Sequence, residues 1–416
     1  MSDTCEKVDD GLIRGRITDE DITKMRMRIG YPNPTLRKGY TDFPWNPTAT
    51  ADCVRRWALS IGDANPFYAD PEVARASCWG ASVAPPGFEW SMGWDRTRSV
   101  STDLQQATRG ALRGVQLYHS GAEYYYHRPI VEGTELFKSE WVADVEEKVS
   151  KFASRSVIVN NANCYWDSDE NVHVTSSRWF VHAERQSSEK SKAAKTRDEP
   201  AHYTDEQLRS IEAAYDAEYI RGSDTLYIED MAVGMELPVM VKGPLTITDL
   251  INFHMGAGWL TYGNPPFRLA YENRKRLKGF YSRNEFNAWD TIQRVHWDPV
   301  LADKVGVLGT YDIGPMRYVM VCQAITNFMG NDAWLYRLRY ELRNFNYVGD
   351  TTWLSGRIVA VTPDAPWGPS VEIEVKGVNQ RGQENVRASV TVLLASRKSG
   401  PVRLPEPPPV TAYRNC

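Results

Sequence analysis

Apolar positions recur with two different periods along the chain, and the change of period marks the predicted elements. Residues 203–219 carry leucine, isoleucine and tyrosine at helical spacing, after a Thr204/Gln207 pair typical of a helix start. Residues 315–329 are apolar over most of their circumference, begin with proline and are followed by Gly330. A helix that is apolar on all sides belongs in the interior.

Segments bounded by Gly, Pro and Asn turns predict four strands in each half of the chain. They are residues 122–128, 134–146, 151–167 and 172–183, then 334–345, 352–362, 370–380 and 385–396. Residues 85–94 predict a buried helix for the first half. Strands that follow one buried helix are typical of an α+β unit, and two such units joined at their sheet edges would hide an exposed edge strand.

Three short motifs occur twice in the same order, which indicates an internal duplication. ADCV at 51–54 matches ITDL at 247–250, 196 residues later, and DP at 70–71 matches DP at 298–299, 228 residues later. VEGT at 131–134 matches YVGD at 347–350. The jump in offset predicts an insertion of about 32 residues in the second copy, between Trp259 and His296.

These patterns divide the chain into two units and their connections. Residues 1–186 form the first unit, and residues 187–224 form a lysine-rich linker and its helix. Residues 225–400 form the second unit, with the insertion near 260–291, and residues 401–416 form a tail.

Composition narrows the class of protein. The 416 residues are 42% hydrophobic with a net charge of −4, which speaks against a nucleic-acid-binding function. The apolar segments are far shorter than a membrane span, and the first residues do not form an apolar leader, so we expect a cytoplasmic protein without membrane contact. Six scattered cysteines predict neither a disulfide framework nor a metal site.

The first copy contains IGDANPFY at 61–68, which resembles the signature of MaoC-like (R)-specific enoyl-CoA hydratases. APP at 84–86 and YHRPI at 126–130 are similar to the N-terminal half of fungal-fatty-acid-synthase-like dehydratases, which are double hot-dog proteins. The second copy resembles the MaoC-like half at VHWD (295–298), YDIG (311–314) and YVGDT (347–351). The resemblance implies two fused hot-dog units forming a pseudo-dimer.

The resemblance also implies a chemistry. In the family an Asp and a His on one loop share a water molecule, and a backbone N–H at the start of the buried helix holds the thioester oxygen. In the first copy Asp63 and Asn65 are kept, but Tyr68 replaces the histidine and Pro86 replaces the glycine. We therefore expect a non-catalytic pseudo-site in the first copy. The alternative is that Asp63 and Asn65 only shape a turn.

In the second copy the implied catalytic residues are His296 and Gly314. Trp259 stands where the first copy has its aspartate, and Asp290 is the nearest acid before His296. Asp290 either supplies the missing carboxylate or only caps its own segment. Trp259, with Tyr311 and His254, is expected to bind substrate.

The insertion carries basic residues among aromatic ones, including Arg274 and Lys275. This combination suits the phosphates and adenine of coenzyme A. A solvated helix face and a lid over the acyl pocket are the alternatives.

The sequence thus predicts a hydratase or dehydratase that acts on a 2-enoyl or 3-hydroxyacyl thioester of coenzyme A or a carrier protein. It implies no metal or redox cofactor, and it implies a homo-oligomer such as a dimer. Two alternatives remain open. One is an enzyme of the same fold that hydrolyses thioesters or performs elimination or cyclisation on a bulky substrate. The other is a non-catalytic thioester-binding subunit.

Overall fold

The computed structural model describes residues 5–7, 12–36, 39–148, 155–184, 199–258 and 264–414. The strands of the first half are β1 (Cys5–Lys7), β2 (Ile13–Gly15), β3 (Trp94–Asp95), β4 (Gln116–Tyr126), β5 (Phe137–Lys148), β6 (Ser156–Trp166) and β7 (Val172–Ala183). Its helices are α1 (Asp19–Arg26), α2 (Ala51–Ser60), α3 (Pro66–Ala69), α4 (Pro71–Ala76), α5 (Thr102–Ala107) and a 3₁₀ helix at Phe88–Ser91.

The second half repeats this succession with additional elements. Its strands are β8 (Met240–Lys242), β9 (Tyr281–Arg283), β10 (Trp289–Thr291), β11 (Trp334–Leu342), β12 (Thr352–Thr362), β13 (Ser370–Asn379) and β14 (Glu384–Leu393). Its helices are α6 (Asp205–Asp216), α7 (Ile247–Ala257), α8 (Phe267–Arg276), α9 (Pro299–Lys304), α10 (Gly314–Met329) and α11 (Thr411–Arg414). Short 3₁₀ helices lie at Ile228–Asp230, Lys278–Phe280 and Ile292–His296.

One ten-stranded sheet runs through both halves in the order β3-β5-β6-β7-β4-β11-β14-β13-β12-β8. The halves meet where β4 and β11 pair antiparallel, with Tyr124 opposite Leu338. Each of these two strands would be an edge strand in an isolated half, so their pairing removes two exposed edges. The predicted α+β architecture with sheets joined edge to edge is confirmed.

The two copies place their first matching helices against each other. α2 and α7 each follow a threonine, Thr50 or Thr246, whose hydroxyl accepts a hydrogen bond from the N–H of the third helical residue. Trp57 of α2 and Phe253 of α7 meet with ring centroids 6.5 Å apart. These duplicated helices form part of the shared core.

The other repeated motifs also adopt matching structures. Asp70 and Asp298 cap α4 and α9, and each helix starts with a proline. Gly133 and Gly349 both adopt a left-handed backbone, with φ of 92° and 95°. The weak motif matches in the sequence therefore mark structurally equivalent positions.

The predicted interior helix is confirmed as α10. It packs against β11 and β14 of the second half and against β4 of the first half. Most of its residues are buried, including Tyr318, Val321 and Ile325. Gly330 ends the helix with φ 74°, a conformation that glycine adopts without strain.

The buried helix predicted for residues 85–94 is wrong. Only the four residues Phe88–Ser91 are helical there, in a 3₁₀ conformation. Pro85 and Pro86 have no N–H to donate, and Gly87 has φ 98°, which lies outside the helical region. The apolar composition of this segment thus reflects burial without helix formation.

The remaining predictions concern boundaries. The predicted strands are found with ends shifted by several residues at most, except that the strand predicted from 151 begins at Ser156 and residues 151–154 lie outside the described part. The 204–207 capping box is present at α6. The linker at 187–198 lies outside the described residues, and the insertion contains α8 and a β9–β10 hairpin.

The tail packs on the first half of the sheet. Val410 is buried beside Trp141 and Trp166, and the rings of Tyr413 and Trp141 lie 6.0 Å apart. None of the helices in the described ranges has the length and apolar character needed to cross a bilayer.

Candidate active site

His296 lies at the end of a 3₁₀ helix, directly before α9. Its Nδ1 is 3.0 Å from the carbonyl oxygen of Tyr311. Because a carbonyl only accepts, the neutral ring carries its proton on Nδ1, and Nε2 keeps its lone pair. Burial lowers the pKa of His296 to about 4, while the backbone of Tyr311 and Asp312 opposes the shift. At neutral pH, His296 is therefore an uncharged base held in one tautomer.

Gly314 begins α10, three residues after the carbonyl that holds His296. The N–H groups of a first helical turn have no acceptor within the helix and carry the positive end of its dipole. A Cβ on Gly314 would lie 3.1 Å from Leu342 Cδ1 and 3.2 Å from His119 Cδ2. Since His119 belongs to β4 of the first half, both halves build the surroundings of this amide.

Asp312, which lies between Tyr311 and Gly314 in the sequence, has a buried carboxyl that sequence analysis did not single out. Its Oδ2 lies 2.8 Å from Arg317 Nε and accepts a hydrogen bond from Asn346. Burial raises its pKa to about 6, and Arg317 opposes the shift. The Asp312–Arg317 ion pair connects the segment before α10 to the first turn of that helix. Its only signal in the sequence is its place two residues before Gly314.

Asp290 lies on β10, in the hairpin of the insertion. Its carboxylate accepts the N–H of the adjacent Thr291 at 2.7 Å, and its carbonyl accepts from Arg294 at 3.1 Å. These contacts hold its own turn together and agree with the capping alternative. An assisting role for Asp290 at His296 stays a prediction.

Two predicted substrate-binding residues lie next to His296. The ring of Tyr311 packs edge-on against the imidazole, with centroids 4.6 Å apart. Burial, and then the repulsion that a protonated His296 would exert, lower the pKa of His254 on α7 to about 4. Trp259, the third predicted residue, lies outside the described residues.

Arg274 and Lys275 lie on α8 in the insertion. The guanidinium of Arg274 lies over the ring of Trp289 at 4.8 Å, and Lys275 forms an ion pair with Glu272 at 3.0 Å. Both contacts belong to the insertion itself. Their role in binding coenzyme A stays a prediction.

The pseudo-site of the first copy is built around a tight turn. Asp63 accepts the N–H of Asn65 at 2.9 Å, and Asn65 accepts the N–H of Phe67 at 3.0 Å. Burial raises the pKa of Asp63 to about 6, and it raises the pKa of Tyr68 well above its usual range. Tyr68 contacts Thr326 near the end of α10. Both observations agree with a turn-forming, non-catalytic role.

A cavity of about 580 Å³, counting its open mouth, lies beside this turn and the C-terminal end of α10. Asn65, Tyr68, Pro85 and Pro86 line it, and Met329 contributes from α10. His296 and Gly314 are not among its lining residues. The resemblance implies a cavity that His296 and Gly314 both reach in the second half, and that arrangement stays a prediction.

Glu89 is a further lining residue that sequence analysis missed. It is only 1% exposed, and burial raises its pKa to about 7. One carboxyl oxygen accepts the N–H of Gly87 at 2.9 Å. The available signal was an acid enclosed by aromatic residues, Phe88 and Trp90, in a segment predicted to be buried.

Comparison with known proteins agrees with this architecture. Residues 39–175 match the model of the FAS1-like dehydratase domain region. A solved MaoC-like dehydratase superposes with a TM-score of 0.59 at 17% identity, over 89% of this chain and 100% of that one.

Two curated relatives match parts of the chain. A UPF0336 protein of Streptomyces avermitilis is 27% identical over 119 residues, 29% of this chain and 74% of its own length. A probable enoyl-CoA hydratase alpha subunit of Thermomonospora curvata is 26% identical over 134 residues, 30% of this chain and 42% of its own length.

The predicted resemblance is confirmed: residues 39–175 match a FAS1-like dehydratase region, and the chain has the hot-dog fold of a solved MaoC-like dehydratase. The matched family region and the Thermomonospora curvata relative support a hydratase or dehydratase function in general. The identity of its substrate and the roles of its residues are matters of proposal.

Proposed function

We propose that this protein is a hydro-lyase that adds water to a 2-enoyl thioester and, in reverse, removes water from a 3-hydroxyacyl thioester. The observation that carries the proposal is the state of His296. Its Nδ1–H is committed to the Tyr311 carbonyl, so the basic Nε2 remains for a substrate water. Gly314, the first residue of α10, follows Tyr311 by three residues along the chain.

In hydration, Nε2 of His296 accepts a proton from water as the water oxygen bonds to C3 of the enoyl group. The electron pair of the double bond moves toward C2 and the thioester oxygen. The N–H of Gly314 and the positive end of α10 stabilise this developing negative charge. The proton then passes from His296 to C2, so that water has added across the double bond.

The dehydration direction uses the same groups in the opposite order. His296 removes the C2 proton and returns it to the departing hydroxyl group. Because the pKa of His296 is held at about 4, its protonated ring gives up the proton readily. This scheme needs no metal or redox cofactor, and the thioester carrier is either coenzyme A or a carrier protein.

The test is a mass-spectrometric screen of purified full-length protein with enoyl-CoA and 3-hydroxyacyl-CoA thioesters of increasing acyl size. We expect at least one pair to interconvert with gain or loss of one water, and we expect His296→Gln to abolish the change. Release of free coenzyme A would favour the thioesterase alternative. If thioesters bind but none of them is converted, the result would favour a non-catalytic subunit and contradict the proposal.

A further inference from the structure

Arg294 is a buried arginine on the same 3₁₀ helix as His296, two residues before it, and is only 3% exposed. Its Nη1 and Nη2 lie within hydrogen-bonding distance of four backbone carbonyl oxygens in the insertion hairpin. These oxygens belong to Ser282 (3.4 Å), Arg283 (3.0 Å), Asp290 (3.1 Å) and Thr291 (3.0 Å). One side chain therefore connects both β9 and β10 to the helix that carries His296.

The segment around His296 is also closed on itself by Arg294. The Nε of Arg294 lies 2.8 Å from a carboxylate oxygen of Asp298. The N–H groups of Trp297 and Asp298 donate to the Arg294 carbonyl at 2.8 and 2.6 Å. His296 therefore lies inside a five-residue segment whose two ends are fixed to each other. Hydrogen bonds between charged groups are stronger than neutral ones, so the Arg294–Asp298 contact restrains this segment.

The first copy has the same local backbone without the arginine. Pro66 precedes Arg294 by the same 228 residues that separate Asp70 from Asp298. The Asp70 N–H donates to the Pro66 carbonyl at 2.8 Å, which matches the backbone contact of the second copy. Proline has no side-chain donor, and the sequence of the first copy has no insertion before this point. The arginine thus occurs in the copy that carries both the hairpin and the histidine.

We propose that Arg294 is a positioning residue for His296 and that the insertion hairpin supports the base through it. The four carbonyl oxygens and Asp298 hold the guanidinium in place, and the guanidinium restrains the backbone on both sides of His296. The direction of the basic Nε2 is then fixed before substrate binds, and small errors in such placement are costly for proton transfer. This inference rests on the proposed role of His296 as the base.

NMR spectroscopy of the full chain labelled with ¹⁵N-histidine gives a readout that does not need turnover. The chain has seven histidines, and the signals lost in His296→Gln assign His296. We expect the parent protein to show His296 in one tautomer, with its proton on Nδ1. Arg294→Met removes the donors and keeps an unbranched side chain. In this variant His296 should become a mixture of tautomers, while the histidines of the first half keep their signals.

Kinetics on a substrate found in the hydration screen give the second readout. Arg294→Met should lower kcat about tenfold or more and change KM little, because it alters the orientation of the base and leaves substrate contacts in place. Arg294→Lys keeps the charge but replaces the planar fork with one nitrogen, so its loss should be smaller. Arg28 is a buried arginine of the first half that donates to Thr108 and to the Pro32 carbonyl. Arg28→Met should leave both readouts unchanged.

Melting curves establish that the variants fold, and Arg294→Lys carries the test if Arg294→Met does not fold. A single, unchanged tautomer of His296 in the folded variant would overturn the inference. An altered tautomer with full kcat, or the same changes in Arg28→Met, would also overturn it. If the screen finds no converted thioester, the proposed function fails, whereas the NMR comparison still decides whether Arg294 positions His296.

Discussion

The two halves of the sheet are built alike, but only the second is covered by a long helix of its own. α10 has sixteen residues, whereas the equivalent segment of the first half has a four-residue 3₁₀ helix. α10 supplies the packing that the first half lacks. Tyr318 stacks on Trp90 at 5.1 Å and its hydroxyl contacts that of Tyr126.

Because of this difference, the candidate catalytic groups lie in the second half and the described cavity lies mainly beside the first. In the second half, α10 begins with Gly314, and His296 donates to the carbonyl of Tyr311, three residues before that start. The proposed function assigns charge stabilisation and proton transfer to these groups. The first half has prolines and Tyr68 at the matching positions, and it has the cavity beside Glu89. The two halves share the repeated motifs but differ in the helix and in the side chains at these positions.

The sharpest test of this comparison is the loss of the base. His296→Gln keeps a donor for the Tyr311 carbonyl but removes the basic nitrogen. We expect kcat/KM to fall by about 10²–10⁴-fold, the range typical of a lost general base. His127→Gln makes the same change at a buried histidine in the first half, which contacts Thr175, and should change the rate little. Equal losses would show that His296 has no special role.

The buried carboxyl of the first half predicts a pH effect on stability. The pKa of Glu89 rises from 4.5 to about 7 on folding, so the folded state binds its proton more tightly. The resulting stability is fully present below pH 4.5 and is lost as pH rises through 7. Between pH 5 and 8 the loss is on the order of 2–3 kcal/mol.

Urea unfolding at these two pH values checks this effect. Glu89→Gln imitates the protonated group and lacks this loss, so its free energy of unfolding should change between pH 5 and 8 by about 2–3 kcal/mol less in the destabilising direction than that of the parent protein. Asp63 and Asp312, whose pKa values are raised, and buried histidines such as His119 and His182, whose pKa values are lowered, contribute the same changes to both proteins. An identical pH dependence in the two proteins would show that Glu89 is not protonated more readily in the folded state.

Sequence patterns were sufficient for the elements whose period and boundary residues agree. α10 was predictable because apolar composition, a starting proline and Gly330 point to the same helix. The prediction of a helix at 85–94 was wrong because an apolar segment can be buried without being helical. Pro85, Pro86 and Gly87 oppose a helix there. The joining of the two sheets at their edges was predictable because the duplication gives two similar units, each with an edge strand to cover.

The sites were less predictable because contacts distant in sequence create them. Glu89 acquires its raised pKa from burial in the folded chain, and Asp312 acquires its partner only once α10 has formed. The position of His296 followed from the motif. Its tautomer did not, because the Tyr311 carbonyl reaches it only in the folded chain.

The turn that replaces the first helix should be sensitive to a side chain. At Gly87 a Cβ would lie 3.0 Å from Val319 and 3.2 Å from Tyr318, at φ 98°. Gly87→Ala should therefore lower the free energy of unfolding by about 2 kcal/mol through backbone strain and crowding against α10. Gly80 also has positive φ but nothing within 4 Å of a Cβ. Gly80→Ala should cost about 1 kcal/mol or less in the same denaturant titration.

The smallest expected effects separate the two aspartates. Asp290→Asn should reduce kcat/KM by less than about tenfold, because His296 and the Gly314 amide remain to move the proton and hold the oxyanion. Asp63→Asn should be nearly silent, since Tyr68 beside it stays protonated at neutral pH and cannot relay protons. Both variants need the same substrate and a melting check, so that lost stability is not mistaken for lost chemistry. If Asp63→Asn damaged turnover more than His296→Gln, catalysis would belong to the first half, beside the cavity, and the roles assigned to the two ends of α10 would be reversed.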